Sequence, residues 1–113
     1  MSFSIWIVDD DPAMLSMLSE CARDAGWQCQ TYSSVTEVER ALARGAGRPD
    51  VVVADWTLPD GPVLSLYELA APARWVIMSG DPAVALALPE SVRWLEKPFR
   101  LLDFFRVVTS PEE

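Results

Sequence analysis

The 113 residues include 17 acidic and 9 basic side chains, a net charge of −8, and half are hydrophobic. That is the length of one domain, 1–113, with apolar content for a core without metal or disulfide staples, and it excludes a disordered acidic tail. No two of the scattered basic residues are adjacent, which argues against direct nucleic-acid binding, and the absence of His removes Ser-His and Cys-His catalytic pairs and every His metal site.

The chain opens with Phe3–Val8, a β-rich apolar run that reads as a buried strand. Asp9, Asp10 and Asp11 follow. Asp11 is a plausible N-cap, and Pro12 suits a first helical position. Met14, Leu15, Leu18, Cys21, Ala22 and Ala25 recur at three and four, marking an amphipathic helix that Gly26 ends. Trp27–Tyr32 is a second strand. Ser34 or Thr36 caps a second helix carrying Val35, Val38 and Leu42, which Gly45–Pro49 breaks. Asp50–Ala54 is a third strand, apolar enough to be buried on both faces, and it ends at Asp55.

Pro59-Asp60-Gly61-Pro62 is a turn, and Val63–Ala71 is expected to be a third helix stopped by Pro72. Trp75–Met78 is the fourth strand, leading to Ser79-Gly80-Asp81. Pro82–Leu88 has room for two helical turns at most. Val92–Leu95 is the fifth strand, ended by Glu96-Lys97-Pro98. Phe99–Thr109 is the last helix, with Leu101, Phe105 and Val108 on one face, and Ser110–Glu113 is a frayed tail. Cys21 and Cys29 lack metal or redox spacing and read as reduced core thiols of a cytoplasmic protein. No secretory signal is visible, and the longest apolar stretch, Ala83–Leu88, is too short to cross a bilayer.

Strand–helix units in this order imply an α/β fold, a doubly wound parallel sheet whose ligand site lies at the carboxyl ends of the strands. Asp9 and Asp10 end the first strand, Asp55 the third, Ser79 the fourth and Lys97 the fifth. Three crowded carboxylates call for a hard divalent cation such as Mg²⁺. A carboxylate can also act as a nucleophile toward phosphorus, with an ammonium and a hydroxyl stabilising the transferring group. No GxxxxGK[ST] loop offers an ATP site.

The segments IWIVDDDP, DVVVADWTLPDG, VIMSG and WLEKPF together resemble the receiver domain of bacterial two-component response regulators, over essentially the whole chain. The resemblance implies a five-stranded (βα)5 fold with strand order 2-1-3-4-5, here with a shortened fourth helix. It implies that Asp55 accepts a phosphoryl group from a sensor histidine kinase or phosphotransfer protein, with Mg²⁺ or Mn²⁺ as cofactor. Asp10 is then a direct metal ligand, Asp9 acts mainly through water, and Asp55 and the Thr57 carbonyl complete the set. Ser79 is the switch hydroxyl, Lys97 pairs with phosphate, and Lys97-Pro98 matches the family's cis peptide. Trp94 stands where the family carries a rotating aromatic, with a fixed strand aromatic as the alternative. Thr57 and Asp81 occupy the positions that tune phosphoryl hydrolysis, and Asp81 has a helix N-cap as its alternative role. Such a domain is a signalling module that switches a downstream protein partner, not an enzyme acting on outside substrates, and it needs no membrane or nucleic-acid contact.

Departures from the family pattern bear on output. The loop after Asp55 is two residues short, and the stretch from Ser79 to Lys97 is also short. Ala83–Leu88, Trp94, Phe104 and Val107 are expected to form an exposed apolar face for homodimerisation or a foreign partner. The alternative buries Leu86 and Leu88 as core. Two other functions fit part of the sequence. A haloacid-dehalogenase-like phosphatase would use Asp9 as nucleophile and Asp11 as acid/base, but offers no acidic pair after Lys97 and leaves Asp55 idle. A receiver-like scaffold that is never phosphorylated is the other.

Overall fold

The computed structural model describes residues 3–67 and 73–109. Five strands, β1 (Ser4–Val8), β2 (Gln28–Tyr32), β3 (Val51–Asp55), β4 (Arg74–Ser79) and β5 (Val92–Glu96), form one parallel sheet in the order β2-β1-β3-β4-β5. The helices are α1 (Pro12–Asp24), α2 (Val35–Ala43), α3 (Pro82–Ala87) and α4 (Leu101–Thr109).

Local chemistry sets the helix ends. The Asp11 carboxylate accepts the Ala13 amide, and Pro12 takes the first helical position of α1. At its far end the Trp27 amide donates to the Ala22 carbonyl and the Gly26 amide to that of Arg23. This closure needs a left-handed residue, supplied by Gly26 at φ +85°. For α2 the Ser34 hydroxyl accepts the Glu37 amide, while the Glu37 carboxylate accepts the amide and hydroxyl of Ser33.

Side chains alternate across the sheet, so both faces are apolar and the central strands read as unbroken hydrophobic runs. Trp6, Val8, Val52, Ala54, Trp75 and Ile77 pack beneath α2, α3 and the turn after β3. Ile5, Ile7, Val51, Val53, Val76 and Met78 pack beneath α1 and α4 through Leu18, Ala22, Phe104 and Val108. Cys29 is buried and Cys21 half-buried, both as free thiols, and burial raises the Cys29 pKa.

Three expectations need correction. In place of a third α-helix from Val63, the described residues form a 3-10 turn, Val63–Leu66, that buries Val63 and Leu66; residues 68–72 lie outside the described residues, as does the tail from 110. Pro62 leaves no amide at its entry, and no side chain caps it. The expected apolar face also dissolves. Phe104 is fully buried, Val107 packs half-buried against the same core, and Trp94 is half-buried. Leu101, placed on one apolar face with Phe105 and Val108, is 39% exposed. The shortened α3 divides the remaining alternatives: Val84 is buried and Leu88 half-buried, but Leu86 is 90% exposed.

Candidate functional site

The loops at the carboxyl edge of the sheet bring three carboxylates and one ammonium together. Asp9 follows β1 and is buried; its Oδ1 accepts the Asp11 amide at 2.9 Å, and its Oδ2 accepts Lys97 Nζ at 3.1 Å. Asp55, the last residue of β3, is also buried, with Oδ1 3.5 Å from Lys97 Nζ and 3.4 Å from the Thr57 amide. Asp10 is exposed, yet its carboxylate has an oxygen within 4.8 Å of oxygens on Asp9 and Asp55. Lys97 is held in turn: its amide donates to the Ser79 carbonyl at 2.9 Å, and its peptide to Pro98 is cis.

Three carboxylates face one ammonium, so negative charge is in excess. Burial, and then the Asp9 charge, push the Asp55 carboxyl above the usual carboxylate range; Lys97 and the Thr57 amide offset only part of this. Burial by itself would lower the Lys97 pKa. The hydrogen bond and charge of Asp9, with the charge of Asp55, outweigh it and leave the ammonium firmly protonated. An all-oxygen cluster with one solvent-facing member suits a hard divalent cation that keeps waters, such as Mg²⁺ or Mn²⁺.

Because the folded-state pKa of Asp55 is raised, its contribution to stability is fully present below the ordinary carboxylate pKa. It is lost as pH rises through the raised value. Asp55→Asn should therefore melt higher than wild type at neutral pH, with the two curves converging in acid. Thermal melts of both proteins in chelator across that range test this; equal melting temperatures at neutral pH would show that the site is not strained by its charge.

The remaining sequence-derived residues lie around this cluster. Ser79 is buried, and its hydroxyl oxygen accepts the Asp81 amide at 3.0 Å. The Trp94 indole N–H donates to the Ser79 carbonyl at 3.3 Å, tying the ring to the backbone of that loop. Asp81 caps α3 through the Ala83 amide at 2.9 Å, so the structural alternative for this residue is realised. Thr57 is exposed beside Asp55.

Sequence reasoning missed Asp60, read only as a turn residue. Its Oδ1 accepts the Val35 amide at 3.0 Å, and its Oδ2 accepts the Thr36 amide at 2.9 Å and the Thr36 hydroxyl at 2.6 Å. The available signal was the shortened loop, which leaves few residues to turn the chain after Asp55.

No family model matches the chain. The DNA-binding transcriptional regulator NtrC of Escherichia coli (strain K12) is 30% identical over 103 residues, covering 84% of this chain and 22% of that protein. A response regulator receiver protein from Sinorhizobium medicae WSM419 superposes with a TM-score of 0.82 at 26% identity, covering 96% of this chain and 92% of the other. The chain belongs to the response-regulator receiver domains. The beryllofluoride-activated NtrC4 receiver domain dimer shares the fold, with a TM-score of 0.78 at 22% identity over 93% of this chain and 92% of the other. The chain spans only 22–24% of the length of the curated relatives it matches. Membership sets the phosphatase alternative aside, and geometry agrees: Asp11, its acid/base, is an exposed helix cap. Among the described residues no helix is long and apolar enough to cross a membrane.

Proposed function

We propose that this receiver takes a phosphoryl group onto Asp55 from the phosphohistidine of a sensor kinase or phosphotransfer protein, and so switches the binding of a downstream protein. The single observation that carries the reading is Lys97 Nζ, lying between Asp9 and Asp55 at 3.1 and 3.5 Å with Asp10 beside them. The site is built to place positive charge against Asp55, and its excess carboxylates supply the ligands for a cation.

Asp9, Asp10 and Asp55, with the Thr57 carbonyl that the family resemblance adds, would hold Mg²⁺ or Mn²⁺. That ion supplies neutralisation of phosphoryl charge. The chain's own residues do the rest. An Asp55 carboxylate oxygen attacks phosphorus while the donor N–P bond breaks, and its electron pair returns to the donor imidazole. The net change is one N–P bond exchanged for one O–P bond. Lys97 stabilises charge on the transferring group, and the Ser79 hydroxyl donates a hydrogen bond to it once turned toward it. An apolar cleft of about 310 Å³, lined by Met14, Met17, Lys97, Pro98 and Phe99, adjoins the lysine and gives a protein donor a surface to rest on.

Self-phosphorylation from small donors and slow self-dephosphorylation are the expected chemistry, with Thr57 and Asp81 at the two positions to which the family resemblance assigns the tuning of hydrolysis. The receiver would work in the cytoplasm, where its thiols stay reduced. Incubation with acetyl phosphate and Mg²⁺, read by intact mass, should show one added phosphoryl group that chelation of the metal prevents. No mass increase under saturating donor and metal would leave the unphosphorylated scaffold as the better account.

A further inference from the structure

Asp60 lies five residues beyond the acceptor, in the loop that leaves β3. Its carboxylate reaches across to a different element and takes the first two amides of α2 together with the Thr36 hydroxyl. The third amide of that helix, at Glu37, already goes to Ser34. The first turn of α2 is thus closed partly by its own chain and partly by the acceptor loop. A carboxylate at a helix N-terminus also meets the positive end of the helix dipole. The three hydrogen bonds hold the Asp60 carboxyl below its ordinary pKa, the Thr36 hydroxyl contributing most.

The loop between is short and fixed along its length. The Trp56 amide donates to the Met78 carbonyl of β4, Leu58 is buried, and Pro59 and Pro62 restrict the backbone on either side of Asp60. Gly61, at φ +141°, makes the turn after Asp60 in a conformation that side-chain-bearing residues resist. Such a strap has little slack. Its near end carries Asp55 and Thr57, and its far end is pinned to α2.

We infer that Asp60 is a positioning residue that holds the acceptor loop by clasping the N-terminus of α2, so that cation binding at the acceptor cluster and closure of the first turn of α2 reinforce each other. The inference rests on the proposed cation-binding role of the Asp9, Asp10 and Asp55 cluster. Coupling of this kind is reciprocal: whatever α2 closure gives to the cluster, an occupied cluster returns to α2.

The test uses the intact chain with Mg²⁺ as the probe. Amide hydrogen exchange in wild type should slow at Val35 and Thr36 when Mg²⁺ is added, while the Glu37 amide, bonded to Ser34, responds less. Asp60→Ala should weaken Mg²⁺ binding several-fold and abolish that slowing. Thr36→Val, which leaves the Asp60 carboxylate and both amides in place, should retain most of the affinity. If Val35 and Thr36 exchange at rates indifferent to Mg²⁺, or if Asp60→Ala lowers only the melting temperature, Asp60 is a plain helix cap and the inference is wrong. The Asp10→Ala protein separates the two levels. Loss of Mg²⁺ binding there, with no effect of Asp60→Ala, overturns the coupling alone. Failure of wild type to bind Mg²⁺ overturns the cation reading and the coupling together.

Discussion

Asp55→Asn should take up no phosphoryl group from acetyl phosphate, while wild type takes up one. The amide has no anionic oxygen to attack phosphorus, and nothing else in the cluster is placed as Asp55 is, last on the central strand and facing the lysine. The loss should not be a folding defect, since Asn removes a charge that burial, and then the neighbouring Asp9, disfavours. Lys97→Ala should still be modified, but slowly. It removes the one ammonium that lies against both Asp9 and Asp55, and deleting a preorganised donor to developing charge slows a reaction by roughly a hundredfold or more. Mass spectrometry of tryptic fragments locates the modification. Phosphate on Asp9 in wild type would sink the receiver chemistry and return the phosphatase reading. Equal uptake rates for wild type and Lys97→Ala would show that the lysine is a structural counter-ion to Asp9 and nothing more.

Legibility in the sequence followed the range of the interactions involved. Caps and breakers act over a few residues, so Asp11-Pro12 and Gly26 marked the limits of α1, and apolar runs marked β1, β3 and β4. Once the strands alternate with helices, topology alone carries Asp9, Asp10, Asp55 and Lys97 to one edge of the sheet, although 88 residues separate Asp9 from Lys97. Contacts between non-adjacent elements left weaker traces. Val63–Leu66 has helical composition, but a Pro before it and no cap let only a 3-10 turn form in the described residues. Asp60 caps a helix 24 residues earlier in the chain, which no local pattern reveals. The face of α4 was ambiguous because Leu101, Leu102, Phe104, Phe105, Val107 and Val108 are all apolar; the packing of Trp27 and the sheet, not periodicity, selects Phe104.

That selection carries the second large effect. Phe104→Ala should destabilise the domain by about 3–5 kcal/mol, because the ring is fully enclosed and its loss leaves a cavity. The ring joins an aromatic group with Phe105 at 5.5 Å and Trp27 at 6.4 Å, and Trp27 packs in turn against Phe3 at 5.1 Å. Removing Phe104 therefore loosens the join between α4, the β1 entrance and the chain before β2, beyond the area lost. For a domain of this size the melting temperature should fall by more than about 10 °C. Leu86→Lys, on the exposed side of the six-residue α3, should change stability by no more than about 0.5 kcal/mol. The contrast discriminates between two placements of the apolar surface. If Leu86→Lys proved the costlier change and Phe104→Ala melted like wild type, α4 would present Phe104 to solvent and α3 would be folded into the core. Urea titration of the two variants beside wild type, with the slope of each transition compared, decides between them.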